Sequence, residues 1–414
     1  MKGFALAICL GTFLYAHSQT AYTWKGTVST DWNTATNWLP NGVPAAADNV
    51  TIVTGGNTCI LAGAASINNL TVTSGVLDLG GFVLTTGGPA ISFAGGTVQN
   101  GRLSIQGSVT TSFGSGSVVM NCRVYIRSAA VTVRNTTFQD SLVLTKTGTT
   151  NDVSSGGNIF NGPVSMTNLG AGYLLMGNSN GDQFNASAVF TDSGSANVYV
   201  AYNSSNNIFA GPTTFNSYSS ASGGVFVSSY SAGTNFNDNI VVNSTAGQGV
   251  QFCTGNPTAT AILATGKTLT VGASGFSAGL LCLRQFVQTG STPQNLVLTG
   301  TGGLVFGPSA AFDGNIVTSS PGLTLSGCTF NGTTDLTKTG ASGDVGQGGN
   351  IYNGICNFTN SSSGYLLLGN NQPDIWNTDV TFTDIGSERI LPAWASTGNQ
   401  FNGNIYVNTA GSAT

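Results

Sequence analysis

Acidic and basic side chains recur at equivalent positions in two halves of this sequence, and they are the first candidates for chemistry. These recurring residues are Asp152 and Asp344, Asp182 and Asp374, Asp192 and Asp384, and the bases Lys146 and Lys338. Hydrolysis or lysis of polysaccharides requires clustered carboxylates, or a carboxylate with a lysine or arginine base. An active site is ordinarily built once, whereas these residues lie in turn-like segments of both copies. We therefore predict that the aspartates stabilise turns by bonding their own backbone, and that the chain has no catalytic residues.

Weak calcium binding is the alternative chemistry for the segment GNSNGDQFN around Asp182, with Asp192 as the second candidate ligand. The equivalent segment GNNQPDIWN, around Asp374, loses a glycine and gains Pro373. A calcium loop needs several oxygen ligands on a flexible backbone, so this difference argues against a repeated metal loop. We expect neither a metal site nor a cofactor.

The composition excludes histidine chemistry. The only histidine, His17, lies in a segment typical of a secretory signal: Lys2, the apolar stretch GFALAICLGTFLYA, and AHS before Gln19. Removal of residues 1–18 leaves a chain without histidine, which excludes Ser-His-Asp and Cys-His catalysis and histidine-ligated metals. We expect a secreted or outer cell-surface protein, and no later segment has the length and apolarity of a membrane span.

The surface must be built mainly from uncharged groups, because 414 residues include only 11 basic and 15 acidic side chains but 59 glycines. Nucleic acid is not an expected partner, since no basic segment is concentrated enough to replace counterions on phosphates. The only basic cluster is formed by Arg102, Arg123, Arg127 and Arg134. Arg123 and Arg127 fall on the outward phase of the strand RVYIR. We expect a solvated face there, and binding of acidic glycans by these two residues is the alternative.

Six cysteines remain after removal of the signal: Cys59, Cys122, Cys253, Cys282, Cys328 and Cys356. None has the CxxC spacing of zinc or redox motifs. We expect them to be small buried apolar residues. One to three disulfides are the alternative, because secretion permits them.

The sequence repeats itself at an offset of 192 residues, so that 111–222 aligns with 303–414 without a gap. Within each copy, a finer unit recurs every 18–27 residues, as in FNGPVSMT at Phe160 and FNASAVFT at Phe184. Each unit has a large apolar residue, two or three small polar residues, and then two apolar residues separated by one position. That spacing is the period of a β-strand, and the flanking Gly, Asn and Ser are typical of turns.

One strand group every 18–27 residues matches one coil of a parallel β-helix. We therefore predict an all-β, right-handed parallel β-helix of about 15–18 coils, in which hydrogen bonds between coils reduce the need for salt bridges. A β-sandwich array is the alternative, but it would show more even spacing and two-residue turns. The large residues should form one continuous column in the core. That column consists of Phe138, Phe160, Phe184, Phe209, Phe236, Phe330, Tyr352, Trp376 and Phe401.

Three of the five tryptophans, Trp24, Trp32 and Trp38, lie just after the signal. An open end of a solenoid exposes unpaired strand edges and core, and must be covered. We predict an N-terminal Trp-rich cap over 19–60, followed by the β-helix over 61–414. A sugar-binding aromatic platform that uses Trp32 and Trp38 is the alternative.

The segment from Trp24 to Ile52, with the run NNLTVTSGVLDLGGFVLT from Asn68, resembles the start of bacterial cell-surface β-strand-repeat proteins. These include autotransporter-passenger-like and type IX-secreted proteins. The resemblance implies a long secreted or surface-attached rod, often adhesin-like, which normally ends in a translocation or sorting domain. This sequence stops within the second copy, at NGNIYVNTAGSAT, so we expect the protein to continue into a C-terminal region that is missing here.

The sequence therefore predicts a non-catalytic, adhesin-like rod that presents polar loops for weak binding to glycans or surfaces. The alternative is a polysaccharide lyase or glycoside hydrolase of the β-helix class. An enzyme of that kind would bring three or more acids, or an acid with Arg or Lys, within roughly 5–10 Å of one another in one groove.

Overall fold

The computed structural model describes residues 19–114, 116–219 and 221–410, and the predicted signal peptide over 1–18 lies outside the described residues. The described chain forms a parallel β-helix of about 16 turns, which confirms the predicted fold class. Its one helical element within these ranges is a single 3-10 turn, Ala35–Asn37. None of its described segments is a helix with the length and apolarity needed to cross a membrane.

Most strands are short, because Gly, Asn and Ser interrupt each apolar run after a few residues. The N-terminal strands are β1 (Ala21–Trp24), β2 (Trp38–Leu39), β3 (Asn49–Ile52), β4 (Cys59–Ile60), β5 (Ala65–Ile67), β6 (Leu70–Val72), β7 (Val76–Asp78), β8 (Val83–Thr86) and β9 (Ala90–Phe93). Two long strands follow, β10 (Gly96–Phe113) and β11 (Val118–Val133). Strand β10 pairs along its length with β7, β8 and β9, so one long strand takes the place of three short ones.

From residue 136 onward the coils become regular, with three strands in each. The next strands are β12 (Thr136–Phe138), β13 (Leu142–Lys146), β14 (Asp152–Val153), β15 (Ile159–Phe160), β16 (Val164–Asn168), β17 (Leu174–Leu175), β18 (Gln183–Phe184), β19 (Ala188–Asp192), β20 (Val198–Val200), β21 (Asn207–Phe209), β22 (Thr213–Tyr218), β23 (Val225–Val227), β24 (Thr234–Phe236), β25 (Ile240–Ala246), β26 (Gly249–Phe252), β27 (Ala261–Leu263), β28 (Leu269–Phe276) and β29 (Leu280–Leu283). The remaining strands are β30 (Phe286–Gln288), β31 (Gln294–Val297), β32 (Gly303–Phe306), β33 (Ala311–Phe312), β34 (Ile316–Ser320), β35 (Gly322–Leu325), β36 (Thr329–Phe330), β37 (Thr334–Lys338), β38 (Asp344–Val345), β39 (Ile351–Tyr352), β40 (Cys356–Asn360), β41 (Leu366–Leu367), β42 (Ile375–Trp376), β43 (Val380–Asp384), β44 (Ile390–Leu391), β45 (Gln400–Phe401) and β46 (Ile405–Thr409).

Within each sheet, a strand pairs in parallel with the equivalent strand of the next coil. The described exception is the antiparallel pair β1–β2. The three strands of a coil define three faces. Face A contains the short strands that end in a large apolar residue, and face B contains the longer strands that follow. Face C is formed by the third strand of each coil, as an eight-stranded sheet from β14 to β35 and a three-stranded sheet of β38, β41 and β44.

Aromatic rings stack inside face A, one from each coil. The first stack consists of Phe138, Phe160, Phe184, Phe209 and Phe236, with centroids 4.7–5.2 Å apart. Met120 holds the same position one coil before Phe138. The second stack consists of Phe312, Phe330, Tyr352, Trp376 and Phe401, with centroids 4.3–5.8 Å apart. In the two coils between these stacks, Leu263 and Gln288 occupy the position that a ring occupies in the coils of both stacks. The prediction of one continuous column is therefore wrong in this detail, because two coils have no ring at this position.

Asparagine side chains form a second, external ladder beside face A. The side-chain amide of each asparagine donates to the side-chain oxygen of the equivalent residue one coil earlier, at 2.7–2.9 Å; this acceptor is an amide oxygen, except at Asp313, where it is a carboxylate oxygen. The members in the second copy are Asp313, Asn331, Asn353, Asn377 and Asn402. Beyond Asp313, these amides connect adjacent coils without charged groups, so a surface with few ionisable side chains suffices.

Candidate functional site

Asp182 and Asp374 occupy the same position in a buried ladder of amide and carboxyl groups. Oδ1 of Asp182 accepts the backbone N–H of Asn158 at 3.0 Å and its side-chain amide at 2.9 Å. The backbone N–H of Asp182 donates in turn to Oδ1 of Asn207 at 3.0 Å. Asp374 accepts the same pair of bonds from Asn350, at 2.8 and 2.9 Å. Each carboxyl therefore connects neighbouring coils, whereas we predicted that it would bond its own turn.

Burial changes the ionisation of this ladder. Asp182 is 1% exposed, and its second carboxyl oxygen has no hydrogen-bond partner among the described residues. Desolvation raises the pKa of Asp182 to about 7, although the hydrogen bonds from Asn158 oppose the rise. For the same reason, burial raises the pKa of Asp374 to about 6. Both groups are enclosed in the core, where a polymeric substrate has no access.

The raised pKa of Asp182 predicts that the protein is more stable in mild acid than at alkaline pH. A carboxyl that is protonated in the native state up to about pH 7, but ionises near pH 4 when unfolded, contributes stability that is complete below about pH 4. That stability is lost as the pH rises toward and through 7. Asp182→Asn removes the titration and keeps the acceptor for Asn158, so it should stabilise the protein by about 1–3 kcal/mol at pH 8 and change little at pH 4.

Urea unfolding at pH 4, 6 and 8 measures this effect. Asp140→Asn is the matched control, because the side chain of Asp140 is 48% exposed. It should leave the pH dependence of the unfolding free energy almost unchanged. Equal pH slopes for the wild type and Asp182→Asn would show that Asp182 is not protonated in the native protein.

The recurring lysines are also internal. Nζ of Lys146 lies 3.2 Å from Oδ2 of Asp152, and the two side chains are 0% and 2% exposed. The ammonium also donates to the backbone carbonyls of Ala129 and Gly148. In the second copy, Lys338 and Asp344 repeat the pair at 3.2 Å. These bases are therefore engaged inside the coil and do not face a groove.

The calcium candidates do not converge. Asp192 is buried at the end of β19, where Oδ1 accepts the backbone N–H of Gly194 at 3.3 Å and burial raises the carboxyl pKa to about 7. Its equivalent, Asp384, is half-buried at the end of β43. Asp182 belongs to the separate buried ladder of amides. Within residues 19–114, 116–219 and 221–410, no group of three or more His, Cys, Asp or Glu side chains is arranged to hold a metal ion.

The arginine candidates lie outward on β11, as predicted from the strand period. Nε of Arg123 is 3.7 Å from Oδ2 of Asp140. Arg123 and Asp140 line an open groove of about 470 Å³, which we call the arginine groove, together with Arg102 and the exposed ring of Phe82. Arg127 is exposed four residues further along the strand and does not line this groove.

The three N-terminal tryptophans pack against one another inside the first coil. Trp24 and Trp32 contact Trp38 edge to face, with centroids 4.9 and 4.8 Å apart. Nε1 of Trp38 donates to the carbonyl of Trp32 at 2.8 Å. Trp32 is 2% exposed and Trp38 is fully buried. Their ring faces are not available to a sugar, so the platform alternative for Trp32 and Trp38 does not hold.

The six cysteines of the described chain are buried and unpaired. Cys328 and Cys356 lie in the core, where Cys328 Sγ contacts the carbonyl of Gly307 at 3.2 Å and Cys356 Sγ contacts that of Gly354 at 3.3 Å. Burial raises the pKa of both thiols to about 12. A thiol in this environment stays protonated and unreactive, which matches the predicted role as a small apolar residue.

A group of aromatic rings on the outside of the rod was missed at the sequence level. This group, the tyrosine cluster, consists of Tyr173, Tyr199, Tyr202, Phe226 and Tyr230. Its four ring contacts have centroid distances of 5.2–5.6 Å, and most are edge to face. All of these rings except Tyr173 border a groove of about 230 Å³, which Ser229, Thr254 and Gly255 also line. Tyr230 is 41% exposed and the other four rings are half-buried.

The local sequence explains how these rings come to face outward. In β20 and β23, buried valines flank Tyr199 and Phe226, so alternation along the strand places the aromatic residue outside. The backbone then leaves each strand through a left-handed residue, Ala201 (φ 52°) or Ser228 (φ 57°), shortly before the corner tyrosine. The repeated patterns VYVAY and VFVSSY contain this signal, since an aromatic residue between two core valines must point outward.

Comparison with known proteins adds one match. A family model described as a domain of unknown function (DUF8693) matches residues 23–85, which include the three N-terminal tryptophans and strands β2 to β7. The matched part is a small fraction of the chain, and its description names no activity. No curated protein and no solved structure is significantly similar to the chain.

Proposed function

We propose that this chain is a non-catalytic, adhesin-like rod of a bacterial secreted or cell-surface protein, and that it binds glycans or surfaces weakly along its length. The observation that carries the proposal is the position of the recurring acids and bases. Lys146 and Asp152 form a buried pair, Asp182 lies in a buried ladder, and the second copy repeats both arrangements. The side chains best suited to catalysis therefore hold coils together.

The exterior suits weak binding to uncharged ligands. Amides of the external asparagine ladder and the hydroxyls of Ser and Thr can exchange hydrogen bonds with sugar hydroxyls. Such contacts compete with water, so each contributes little and affinity depends on many of them. The signal-like pattern of residues 1–18 supports export, and the resemblance of Trp24–Ile52 to cell-surface repeat proteins supports a place outside the cell.

A polysaccharide-cleaving enzyme is the second candidate, and the arginine groove favours it. This groove brings Asp140 within 3.7 Å of Arg123, with Arg102 also in its lining. It belongs to the first copy only, because Asn315 and Gly332 stand where the second copy would need Arg123 and Asp140. We place the rod first because glycoside hydrolysis uses a pair of carboxyl groups, and the groove contributes only Asp140 from its lining.

A single preparation tests the proposal. The chain expressed with residues 1–18 in a secretion-competent bacterial host should be exported with Gln19 as its new N-terminus. The exported protein, incubated with neutral and acidic polysaccharides, should release reducing ends and unsaturated products no faster than buffer does. The physical reason is that Asp152, Asp182 and Asp192, which recur in the second copy, are buried, and that Asp140 is paired with Arg123.

The variant Asp140→Asn makes the experiment decisive. Turnover in the wild type that disappears in Asp140→Asn would replace the rod with an enzyme whose site is the arginine groove. Turnover that persists in the variant would show that the chain is an enzyme whose active site lies outside the arginine groove, and would also contradict a non-catalytic role. Retention of the unprocessed chain inside the cell would contradict export.

A further inference from the structure

We propose that the tyrosine cluster is a binding site for a neutral glycan chain. This inference rests on the proposed function, for which it supplies a defined site. A pyranose ring presents a face of C–H groups and an edge of hydroxyls. Tyrosine matches both, because its ring offers an apolar face and its phenol can donate or accept a hydrogen bond.

The rings of the tyrosine cluster are steeply inclined to one another and do not lie in one plane. Tyr199 contacts Tyr173 and Tyr202 edge to face, with interplanar angles of 86° and 69°. Tyr202 contacts Tyr230 in the same way, at 64°. A groove bounded by rings at such angles offers C–H contacts on more than one side of a sugar. Its volume of about 230 Å³ suits about one sugar unit at a time, with the chain continuing along the open face.

Polar groups at the groove are placed to bond sugar hydroxyls. The hydroxyl of Tyr199 accepts a hydrogen bond from the side-chain amide of Asn197 at 2.8 Å, which leaves its proton free to be directed outward. Ser229 lines the groove and is 3% exposed, and its Oγ has no hydrogen-bond partner among the described residues. A buried hydroxyl is rarely left unpaired, so Ser229 has an unused hydrogen-bonding group at the lining of the groove.

The lack of charged residues in the lining of the groove indicates that its ligand is neutral. The seven residues that line the groove include no acid or base, in contrast to the arginine groove. Partial burial, followed by the neighbouring tyrosines, raises the pKa of Tyr202, so its phenol stays protonated and uncharged. A protein partner is a poorer fit, since a stable protein interface uses about 20–30 residues on each side.

The second copy carries a related surface on the same face. Tyr365 and Trp394 stand at the positions of Tyr173 and Tyr202, and they are 37% and 57% exposed. The left-handed corner is repeated at Ala393, where φ is 54°. The two surfaces are eight coils apart along face C, or roughly 38 Å at the spacing of adjacent strands. One long polymer can therefore occupy both, and it should bind more tightly than a short oligosaccharide.

Affinity gel electrophoresis of the mature chain tests this inference. The probes are mixed-linkage β-glucan, xyloglucan, galactomannan and dextran as neutral polymers, and polygalacturonate as an anionic one. We expect at least one neutral polymer to retard the wild type. The double variant Tyr202→Ala/Tyr230→Ala should weaken that binding at least tenfold, because it removes two adjacent walls of the groove. Tyr202→Phe should retain most of the affinity, since the ring remains.

Tyr125→Ala is the control, because Tyr125 is a half-buried ring on β11, outside the tyrosine cluster; it should bind as the wild type does. Circular dichroism verifies that each variant is folded. The inference is overturned if no neutral polymer retards the wild type, or if the double variant binds equally well. Retardation only by polygalacturonate, lost in Arg123→Ala, overturns the tyrosine site but leaves a glycan-binding rod. Cleavage of a polymer whose binding still requires Tyr202 supports the tyrosine site and overturns the non-catalytic function.

Discussion

Replacing Phe184 by alanine should lower the free energy of unfolding by about 3–5 kcal/mol, the usual cost of deleting a buried ring. Phe184 is 1% exposed and lies between Phe160 and Phe209, with both ring centroids 4.7 Å away. The deletion opens a cavity between two coils whose backbones are fixed by hydrogen bonds, so the neighbours cannot collapse into it. Chemical denaturation gives the total loss.

The effect of Phe184→Ala should also be local, because each coil of a solenoid contacts only its neighbours. Hydrogen exchange should accelerate most in β15, β18 and β21, and least in the second copy. Phe226→Ala is the matched control, since it deletes the same ring from an outward, half-exposed position on β23. We expect that control to cost less than about 1 kcal/mol. Equal losses for the two variants would contradict a core stacked on face A.

The fold was predictable because one unit of sequence corresponds to one coil. The residue that begins each unit, such as Phe160 or Phe184, is buried, and the apolar pair that follows alternates inward on face B. The interruption of the aromatic stack at Leu263 and Gln288 could also have been predicted, since the sequence of those two coils has no aromatic residue at this position. What the periodicity could not reveal is how neighbouring coils are connected by side chains, because that depends on which atoms the stacking brings together.

The candidate sites were less predictable, for a physical reason. Whether Asp182 faces solvent or core depends on a corner of the coil, and corners follow no simple period. Trp32 and Trp38 were predicted to cover the open end of the solenoid, but their burial depends on contacts within the first coil. The tyrosine cluster depends on alternation within β20 and β23, which the sequence does contain. Charge gives no signal for this surface, because it is built from neutral residues.

The low charge of the chain led us to expect that coils would be joined without salt bridges, and this holds for most of the rod. Arg123–Asp140 and Lys267–Asp238 are solvent-accessible ion pairs between neighbouring coils, whereas Lys146–Asp152 and Lys338–Asp344 are buried pairs within one coil, at the same position in each copy. A buried ion pair is often no more stabilising than well-packed apolar groups. Loss of one partner, however, is strongly destabilising, because it leaves the other charge buried and unpaired. Each buried pair encloses a loop that leads from face B to face C. In the first copy, the ammonium of Lys146 also donates to the carbonyl of Gly148 in that loop and to the carbonyl of Ala129 in the preceding coil.

Lys146→Met should therefore destabilise the protein by about 3–5 kcal/mol, because it leaves the carboxylate of Asp152 buried without a cation. The carbonyls of Ala129 and Gly148 lose a donor at the same time. Lys146→Met/Asp152→Asn should recover most of the loss, since the asparagine is neutral and can still accept the backbone N–H of Val131, now bonded at 2.7 Å. Urea unfolding of the wild type, both single variants and the double variant forms a thermodynamic cycle that gives the coupling energy directly.

The ion pair Lys267–Asp238 provides the matched control. Its two charged atoms are closer, at 2.9 Å, but the side chains are 34% and 28% exposed. Water and salt screen such a pair, so Lys267→Met should cost no more than about 1 kcal/mol. If distance alone determined the energy, Lys267→Met would be the more damaging substitution; if burial does, Lys146→Met is. A small loss for Lys146→Met would mean that water reaches Asp152, and that the lysines repeated in the two copies are not structural.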